Sequence, residues 1–173
     1  MSTDADSPAI RLPQPEEIPD REKEDAMGAY LMMFASLAIG LPIPLVNLIA
    51  SVIYFFVNRK NGTFVAFNCL QALLTHVPVV LVNAGVVGWL VGILVVPPHD
   101  NFVPAFFWFL LFAVLLNIAY IVWSIVAMVH ARKGRFFYMP LFGRMCFARY
   151  YGPKAQTRRR PTRTWENRPP EGL

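Results

Sequence analysis

The sequence predicts an all-α fold: a polytopic membrane helical bundle of about four membrane helices, followed by an amphipathic segment at the membrane interface. The first observation is composition, since 55% of the 173 residues are apolar and 16% are charged, against about a quarter charged in soluble domains. The second is that residues 26–58, 61–99 and 101–131 contain no Asp, Glu, Lys or Arg. A membrane-spanning helix needs about 20 such residues. Soluble globules, nucleic-acid modules and disordered proteins are therefore excluded.

The third observation is the asymmetric distribution of charge. Residues 1–26 carry eight acids and three bases, whereas residues 131–173 carry eleven bases and two acids. The basic end directly follows an apolar stretch, which favours a topology signal or contact with anionic lipid headgroups over nucleic acid. The two cysteines, Cys69 and Cys146, have no metal-type or redox-motif spacing, so we expect reduced thiols.

Residues 1–25 are predicted to form a disordered acidic tail. They combine four prolines with many charges and bury too little apolar surface to repay ordering. The first apolar run starts near Met27 behind acidic residues, which does not fit a secretory signal or an organelle transit peptide. We therefore expect a multi-pass protein of the bacterial cytoplasmic (inner) membrane.

Residues 26–131 are predicted to form the membrane helical domain. As one helix, residues 27–57 would extend about 46 Å, which is too long for one upright span. Gly40, Pro42 and Pro44 interrupt this run. The region is either one strongly kinked span or, as we prefer, two short helices, and the choice decides the side of the N-terminus.

The second membrane region, residues 63–96, carries a polar stripe and a set of glycines. Asn68, Gln71 and Thr75 lie on one helical face, with His76 adjacent. The stripe lines a conduit or partner groove in one interpretation and holds helices together by hydrogen bonds in the other, which we prefer. Three glycines are candidates for close helix packing: Gly85, Gly88 and Gly92.

Residues 102–130 are the last predicted span, and the basic regions set the topology. The turn at 58–62 and the C-terminus are predicted to be cytoplasmic, and residues 97–101 external. Residues 132–152 interleave aromatics and arginines and are predicted to lie in the interface, apolar side down. Residues 153–173 are predicted to be a disordered basic tail. The predicted lipid or partner contacts are Arg135, Arg144, Arg149, Arg158, Arg159 and Arg160.

A family resemblance covers about residues 27–145. It rests on the broken first helix pair, on FVAFNCLQALL after the basic turn, and on ARKGRFFYMPLFGR after the last helix. The residues that carry it are Gly40, Pro42, Pro44, Phe67, Gln71, Ala72, Leu73, Lys133, Gly134, Phe136, Phe137, Tyr138 and Pro140. In these features the chain resembles the small four-helix family of the twenty-kilodalton component of the chloroplast inner-envelope import translocon. The resemblance implies a four-helix fold and association with translocation machinery.

The sequence predicts no enzyme, no cofactor and no metal site. The predicted spans lack carboxylates, and no hydrolase, zinc-protease or phosphate-loop motif occurs. The first functional hypothesis is an accessory or assembly subunit of a larger membrane complex, which contacts anionic lipid and a membrane-protein partner or a second copy. The alternative is a self-associating channel or protein-translocation component lined by the polar stripe.

Overall fold

The computed structural model describes residues 12–34, 44–95, 102–152 and Asn167, and these residues form α-helices without any β-strand. The prediction of an all-α fold is confirmed. A short 3-10 turn, Met32–Phe34, follows the first helix. The five helices are α1 (Asp20–Leu31), α2 (Pro44–Asn58), α3 (Thr63–Val95), α4 (Phe102–Arg132) and α5 (Gly143–Tyr151).

The two long helices, α3 and α4, form an antiparallel hairpin. With 33 and 31 residues, they extend about 50 Å and 46 Å at a rise of 1.5 Å per residue. Each is long and apolar enough to cross a membrane, and only 11% and 17% of their most apolar stretches are buried within the protein. Most of their apolar side chains therefore face outward, as in helices surrounded by lipid.

Two helices among the described residues are long and apolar enough to span a membrane, fewer than the four or so that the sequence predicts. Helix α1 opens with the charged run DREKED. Helix α2 is apolar but has 15 residues, or about 22 Å of rise, against the ~30 Å hydrocarbon core.

The first apolar region folds back on itself. The Tyr54 hydroxyl of α2 donates a hydrogen bond to the Asp25 carbonyl of α1 at 3.0 Å. In one continuous helix these residues would lie about 43 Å apart, so the two-helix interpretation holds. Pro44 is the first residue of α2, where its missing N–H costs nothing. The rest of the predicted break, Gly40 and Pro42, lies outside the described residues.

The main hydrophobic core lies at one end of the hairpin. We call this end, built from residues 12–31, 59–75 and 127–152, the base. Its centre is an aromatic cluster in which Phe67 contacts Phe136, Tyr138 and Tyr151. Helix α1 packs across both long helices, and its Ala26, Ala29 and Tyr30 enter the same core. The base is thus a packed cap on a hairpin whose apolar side chains are mostly exposed.

The part of the acidic N-terminal segment that follows residue 11 packs on the base. Leu12 and Ile18 are buried in the base core, and α1 begins at Asp20, with Asp20 and Glu22 in its first turn. Acidic side chains there complement the helix dipole. The prediction of a disordered tail through residue 25 is therefore wrong for residues 12–25, because two apolar side chains separated by prolines find a core that local composition does not reveal. Residues 1–11 lie outside the described chain.

The segment after α4 packs against the protein itself. Its buried apolar side chains enter the base core, so the expectation that they face lipid is wrong for Phe136, Met139, Cys146, Phe147 and Tyr151. Arg144, Met145 and Arg149 stay exposed on α5. In the predicted disordered tail, Arg158, Arg159 and Arg160 lie outside the described residues, whereas Asn167 is buried.

Candidate functional site

A buried hydrogen-bond network joins three parts of the base. The Tyr30 hydroxyl of α1 donates to Oδ1 of Asn68 at 3.0 Å and accepts from Nε2 of Gln71 at 2.9 Å. The same Gln71 amide donates to the Phe137 carbonyl at 2.9 Å, and its Oε1 accepts from the Met139 N–H at 3.4 Å. Helix α1, helix α3 and the segment after α4 are therefore held by one set of polar groups.

The helix geometry of α3 explains this arrangement. Asn68 and Gln71 are three residues apart and so share one face, the face that meets Tyr30. Asn68 also donates to the Phe64 carbonyl one turn earlier at 2.9 Å, which fixes its side chain. Burial raises the pKa of Tyr30 far above its usual value, so its hydroxyl remains a neutral donor and acceptor. Both amides thus find partners despite nearly complete burial.

The predicted stripe divides into three separate interactions. Asn68 and Gln71 bind Tyr30, Thr75 donates to the Gln71 carbonyl of its own helix at 2.7 Å, and Nδ1 of His76 lies 2.6 Å from the Tyr120 hydroxyl of α4. Asn68, Gln71 and His76 are all buried. These contacts match the interpretation in which the stripe holds helices together.

A pair of asparagines that the sequence analysis missed joins the middle of the hairpin. Nδ2 of Asn117 donates to Oδ1 of Asn83 at 2.8 Å, and Nδ2 of Asn83 donates back to Asn117 at 3.2 Å. Asn117 also donates to the Ala113 carbonyl at 2.7 Å. Amides within apolar helices are costly unless they are paired. An asparagine near the middle of each of two predicted spans could therefore have indicated that the two side chains pair.

Asn167 ties the two ends of the chain together, which the sequence analysis also missed. Its Nδ2 donates to the carbonyls of Pro13, at 2.7 Å, and Gly134, at 3.0 Å, while its Oδ1 accepts from the Phe136 N–H at 3.0 Å. Its own N–H donates to Oε1 of Gln14 at 3.2 Å. The surrounding sequence is polar and rich in arginine and proline, so no local pattern marks this residue.

The three glycines predicted for helix packing have different surroundings. A methyl group on Gly85 would lie 3.2 Å from the Phe109 ring of α4, so this glycine does permit close packing. A methyl group on Gly88 would meet no described atom within 4 Å, so the described helices do not pack closely at Gly88. Gly92 is partly buried on the same helix.

Charged side chains surround the base without forming a buried charge cluster. Arg132, at the end of α4, pairs with Glu24 of α1 at 3.1 Å, and both side chains are about half exposed. Asn61 in the turn before α3 donates to the Asp25 carboxylate at 2.9 Å. The acidic start of α1 thus lies against the basic ends of the hairpin. The predicted contact residues Arg135, Arg144 and Arg149 are exposed.

The buried polar groups described above hold helices together, and the two buried thiols are not activated. Cys69 and Cys146 are free and buried in the base core, and burial raises the pKa of Cys146 to about 12, which keeps its thiol protonated. Among the described residues, no group of three His, Cys, Asp or Glu side chains is placed to hold a metal ion. The paired side chains are amides, hydroxyls and one imidazole.

Comparison with known protein families assigns the chain to one family. Residues 23–146 match the model of the magnetosome magnetite crystal formation protein family (MamF/MmsF), and the chain belongs to that family. The family consists of magnetosome membrane proteins involved in magnetite crystal formation. The match corrects the resemblance to the chloroplast translocon family, which rested on short aromatic motifs and helix-break signals. Comparisons with curated proteins and with solved structures give no match.

Proposed function

We propose that this member of the magnetosome magnetite crystal formation protein family is a non-enzymatic accessory or assembly subunit of a larger membrane complex. In this role it supports crystal formation by association with other membrane proteins. The proposal starts from the family assignment over residues 23–146. The accessory role goes beyond the family assignment, and it is supported by the chemistry of the described side chains.

One observation carries the proposal: the polar side chains of the hairpin are paired inside the chain. Asn83 pairs with Asn117, His76 with Tyr120, and Gln71 with Tyr30. A conduit needs polar groups that face water, and a catalytic site needs a nucleophile or base that substrate can reach. Pairing of this kind instead favours a stable helical scaffold whose surfaces act by contact.

We infer that the base lies on the cytoplasmic side and that the chain crosses the membrane with its C-terminus on that side. Arg59, Lys60, Arg132 and Lys133 lie at the base ends of α3 and α4, as the positive-inside rule expects of a cytoplasmic face. The connection between the two long helices contains no Lys or Arg, which suits the opposite side. A complex on the cytoplasmic side would meet the base first.

Cross-linking in native membranes of a magnetite-forming host tests the accessory role. The tagged full-length protein is cross-linked, purified in mild detergent and analysed by mass spectrometry beside an untagged control. We expect one constant set of membrane proteins in fixed ratio to the bait, and altered crystal size by electron microscopy when the gene is deleted and restored on complementation. Self-cross-links alone, with unchanged crystals, would contradict the proposal.

Thiol accessibility tests the conduit alternative. Cysteines placed singly at Asn68, Gln71 and Thr75 are exposed to a membrane-impermeant thiol reagent in right-side-out and in inside-out membrane vesicles, so that the reagent reaches each face in turn. We expect all three to react no faster than a protein without the added cysteine, because these positions lie in or beside the buried network. A cysteine at the exposed Lys60 is the positive control. Fast reaction along the stripe would favour a water-filled path.

A further inference from the structure

Leu141 combines high exposure with a rare backbone conformation. Its side chain is 90% exposed, more than any other exposed large apolar side chain described in this chain. Its φ is +69°, the one positive value at a non-glycine residue in the described chain. The Phe142 N–H donates to the Pro140 carbonyl at 2.9 Å, so Leu141 is the central residue of the strained form of the three-residue γ-turn.

The surrounding backbone holds this turn rigidly. The Gly143 N–H donates to the Met139 carbonyl at 2.8 Å, and the Cys146 N–H donates to the Phe142 carbonyl at 2.9 Å. Gly143 packs so closely on Tyr138 that a Cβ atom would lie 2.8 Å from the Tyr138 Cα. Left-handed conformations are costly for residues with a side chain and cluster at functional sites. The fold therefore presents an exposed leucine at a fixed position.

The outward face of α5 continues this apolar tip and adds positive charge. Its exposed residues are Arg144, Met145, Ala148 and Arg149, and at 100° per residue they cover an arc of about 140°. Met145 and Ala148 lie in the middle of the arc, with one arginine at each edge. We call Leu141 and these four residues the docking face. Apolar centres with flanking arginines are typical of helices in the membrane interface.

The helix that carries most of the docking face packs near the end of α2. Helix α5 contacts the first turns of α3, where the ring centroids of Tyr151 and Phe67 lie 6.2 Å apart. Arg59 lies over the Phe56 ring of α2 at 4.9 Å, and Phe56 is itself exposed with the apolar face of α2. The docking face thus belongs to the end of the molecule at which α2 ends and α3 begins.

We propose that the docking face binds the anionic phospholipid headgroups of the leaflet that the hairpin enters at its base. Leu141 and Met145 insert below the lipid phosphates, and Arg144 and Arg149 bind those phosphates. Charge complementarity selects this occupant, since the face carries two arginines and no carboxylate. The contact fixes the base at the membrane surface and does not depend on the accessory role proposed above.

Fluorescence quenching in lipid nanodiscs tests the proposal with the full chain. Ala148, at the centre of the docking face, is changed to cysteine and labelled with an environment-sensitive fluorophore. Cys69 and Cys146 are buried, and the protein without the added cysteine gives the blank. A label at Glu16→Cys, an exposed position of the N-terminal segment outside the docking face, is the reference. The quenchers are aqueous acrylamide and a lipid with a nitroxide at the headgroup.

In discs of equal phosphatidylcholine and phosphatidylglycerol, we expect the lipid nitroxide to quench the label at 148 and acrylamide to quench it several-fold less than the label at 16. The double variant Arg144→Gln/Arg149→Gln should lower the ratio of lipid-bound to unbound docking face about 25-fold, because each arginine contributes roughly fivefold at an anionic surface. The control Arg21→Gln, which removes an exposed charge of α1 elsewhere on the base, should leave that ratio unchanged.

Leu141→Gly separates docking from folding. Glycine adopts a φ of +69° without strain, so the variant should unfold at the same or a higher temperature while lipid quenching at 148 falls. Equal acrylamide quenching at 148 and 16 would overturn the proposal. Protection from acrylamide without lipid quenching would also overturn it, because protein would then cover the face. The anionic specificity would be overturned if lipid quenching at 148 stayed the same in discs without phosphatidylglycerol and in the Arg144→Gln/Arg149→Gln variant.

Discussion

Tyr30 is the residue on which the cohesion of the base depends most directly. Its hydroxyl is the acceptor for Gln71 and the donor for Asn68, and both amides belong to a helix that enters the apolar hairpin. An amide buried without its partner costs about 1–3 kcal/mol. One hydroxyl on a short, charged helix thus stabilises two polar groups on a long, apolar one.

We expect Tyr30→Phe to lower the free energy of unfolding by about 2 kcal/mol, because Asn68 and Gln71 each lose a buried partner. The measurement is denaturant unfolding of the full chain in mild detergent, followed by circular dichroism. The matched control is Tyr54→Phe, whose hydroxyl donates to the Asp25 carbonyl in a half-buried position that water can reach. We expect a loss below about 1 kcal/mol there. Equal losses in the two variants would contradict the role assigned to Tyr30.

Asn167 has a comparable role between the two termini. We expect Asn167→Ala to cost about 2 kcal/mol locally, because the Phe136 N–H and the Pro13 and Gly134 carbonyls lose their partner together. Release of the N-terminal segment should appear as faster proteolysis within residues 12–18. Asn61→Ala, which removes exposed hydrogen bonds to Asp25 and Asn58, is the control and should leave the cleavage rate unchanged.

At the scale of the helices, the Asn83–Asn117 pair sets the register of the hairpin. Two apolar helices slide past one another at little cost, whereas a reciprocal amide pair is satisfied at one register. Model membrane proteins give about 0.6 kcal/mol for such a hydrogen bond, with a maximum near 1.7. The pair therefore contributes more to specificity than to stability.

A double-mutant cycle with Asn83→Leu and Asn117→Leu tests this pair. Asn117→Leu should cost about 1 kcal/mol, since Asn83 loses both hydrogen bonds of the pair. Asn83→Leu should cost less, because Asn117 keeps its bond to the Ala113 carbonyl. The double variant should be more stable than the sum of the two single losses predicts. Strict additivity, measured by unfolding in detergent, would show that the amides act independently.

The sequence predicts the elements of this fold better than their pairing. Long runs without charge identify α3 and α4 directly, and the spacing of Asn68 and Gln71 places them on one face. The partner of that face, Tyr30, lies 38 residues from Asn68 in the sequence. Nothing local connects the two positions, so a conduit and a hydrogen-bonded interface stayed open as interpretations.

The errors at the chain ends have the same origin. Prolines and charges indicate disorder when a segment is considered alone, yet Leu12 and Ile18 are buried once the base exists. The aromatic residues after α4 have the pattern of an interfacial segment, but the base core offers Phe136 and Phe147 a protein surface instead. Only the outward side of α5, together with Leu141 just before it, remains exposed as expected of an interfacial segment.

At the scale of the whole molecule, the exposed apolar surface has the dimensions of a bilayer. On α4, exposed large apolar side chains begin at Phe107 and end at Val129. These 22 steps along the helix correspond to about 33 Å, close to the ~30 Å hydrocarbon thickness. The charged and hydrogen-bonded base lies at one end of this belt. The exposed apolar surface of the hairpin is thus long enough to match the hydrocarbon core of a bilayer.

An arginine scan of α4 tests that arrangement in the whole molecule. Ile118 is 54% exposed near the middle of the belt, and Val129 is 41% exposed at its end. In lipid, Ile118→Arg should cost about 3 kcal/mol of insertion free energy, whereas the side chain of Val129→Arg reaches the headgroups at little cost. The measurement is the fraction of protein that resists alkaline extraction from native membranes. We expect a marked fall for Ile118→Arg alone. If the belt faced water, both outward arginines would be tolerated equally, and equal extraction of the two variants would exclude the membrane hairpin.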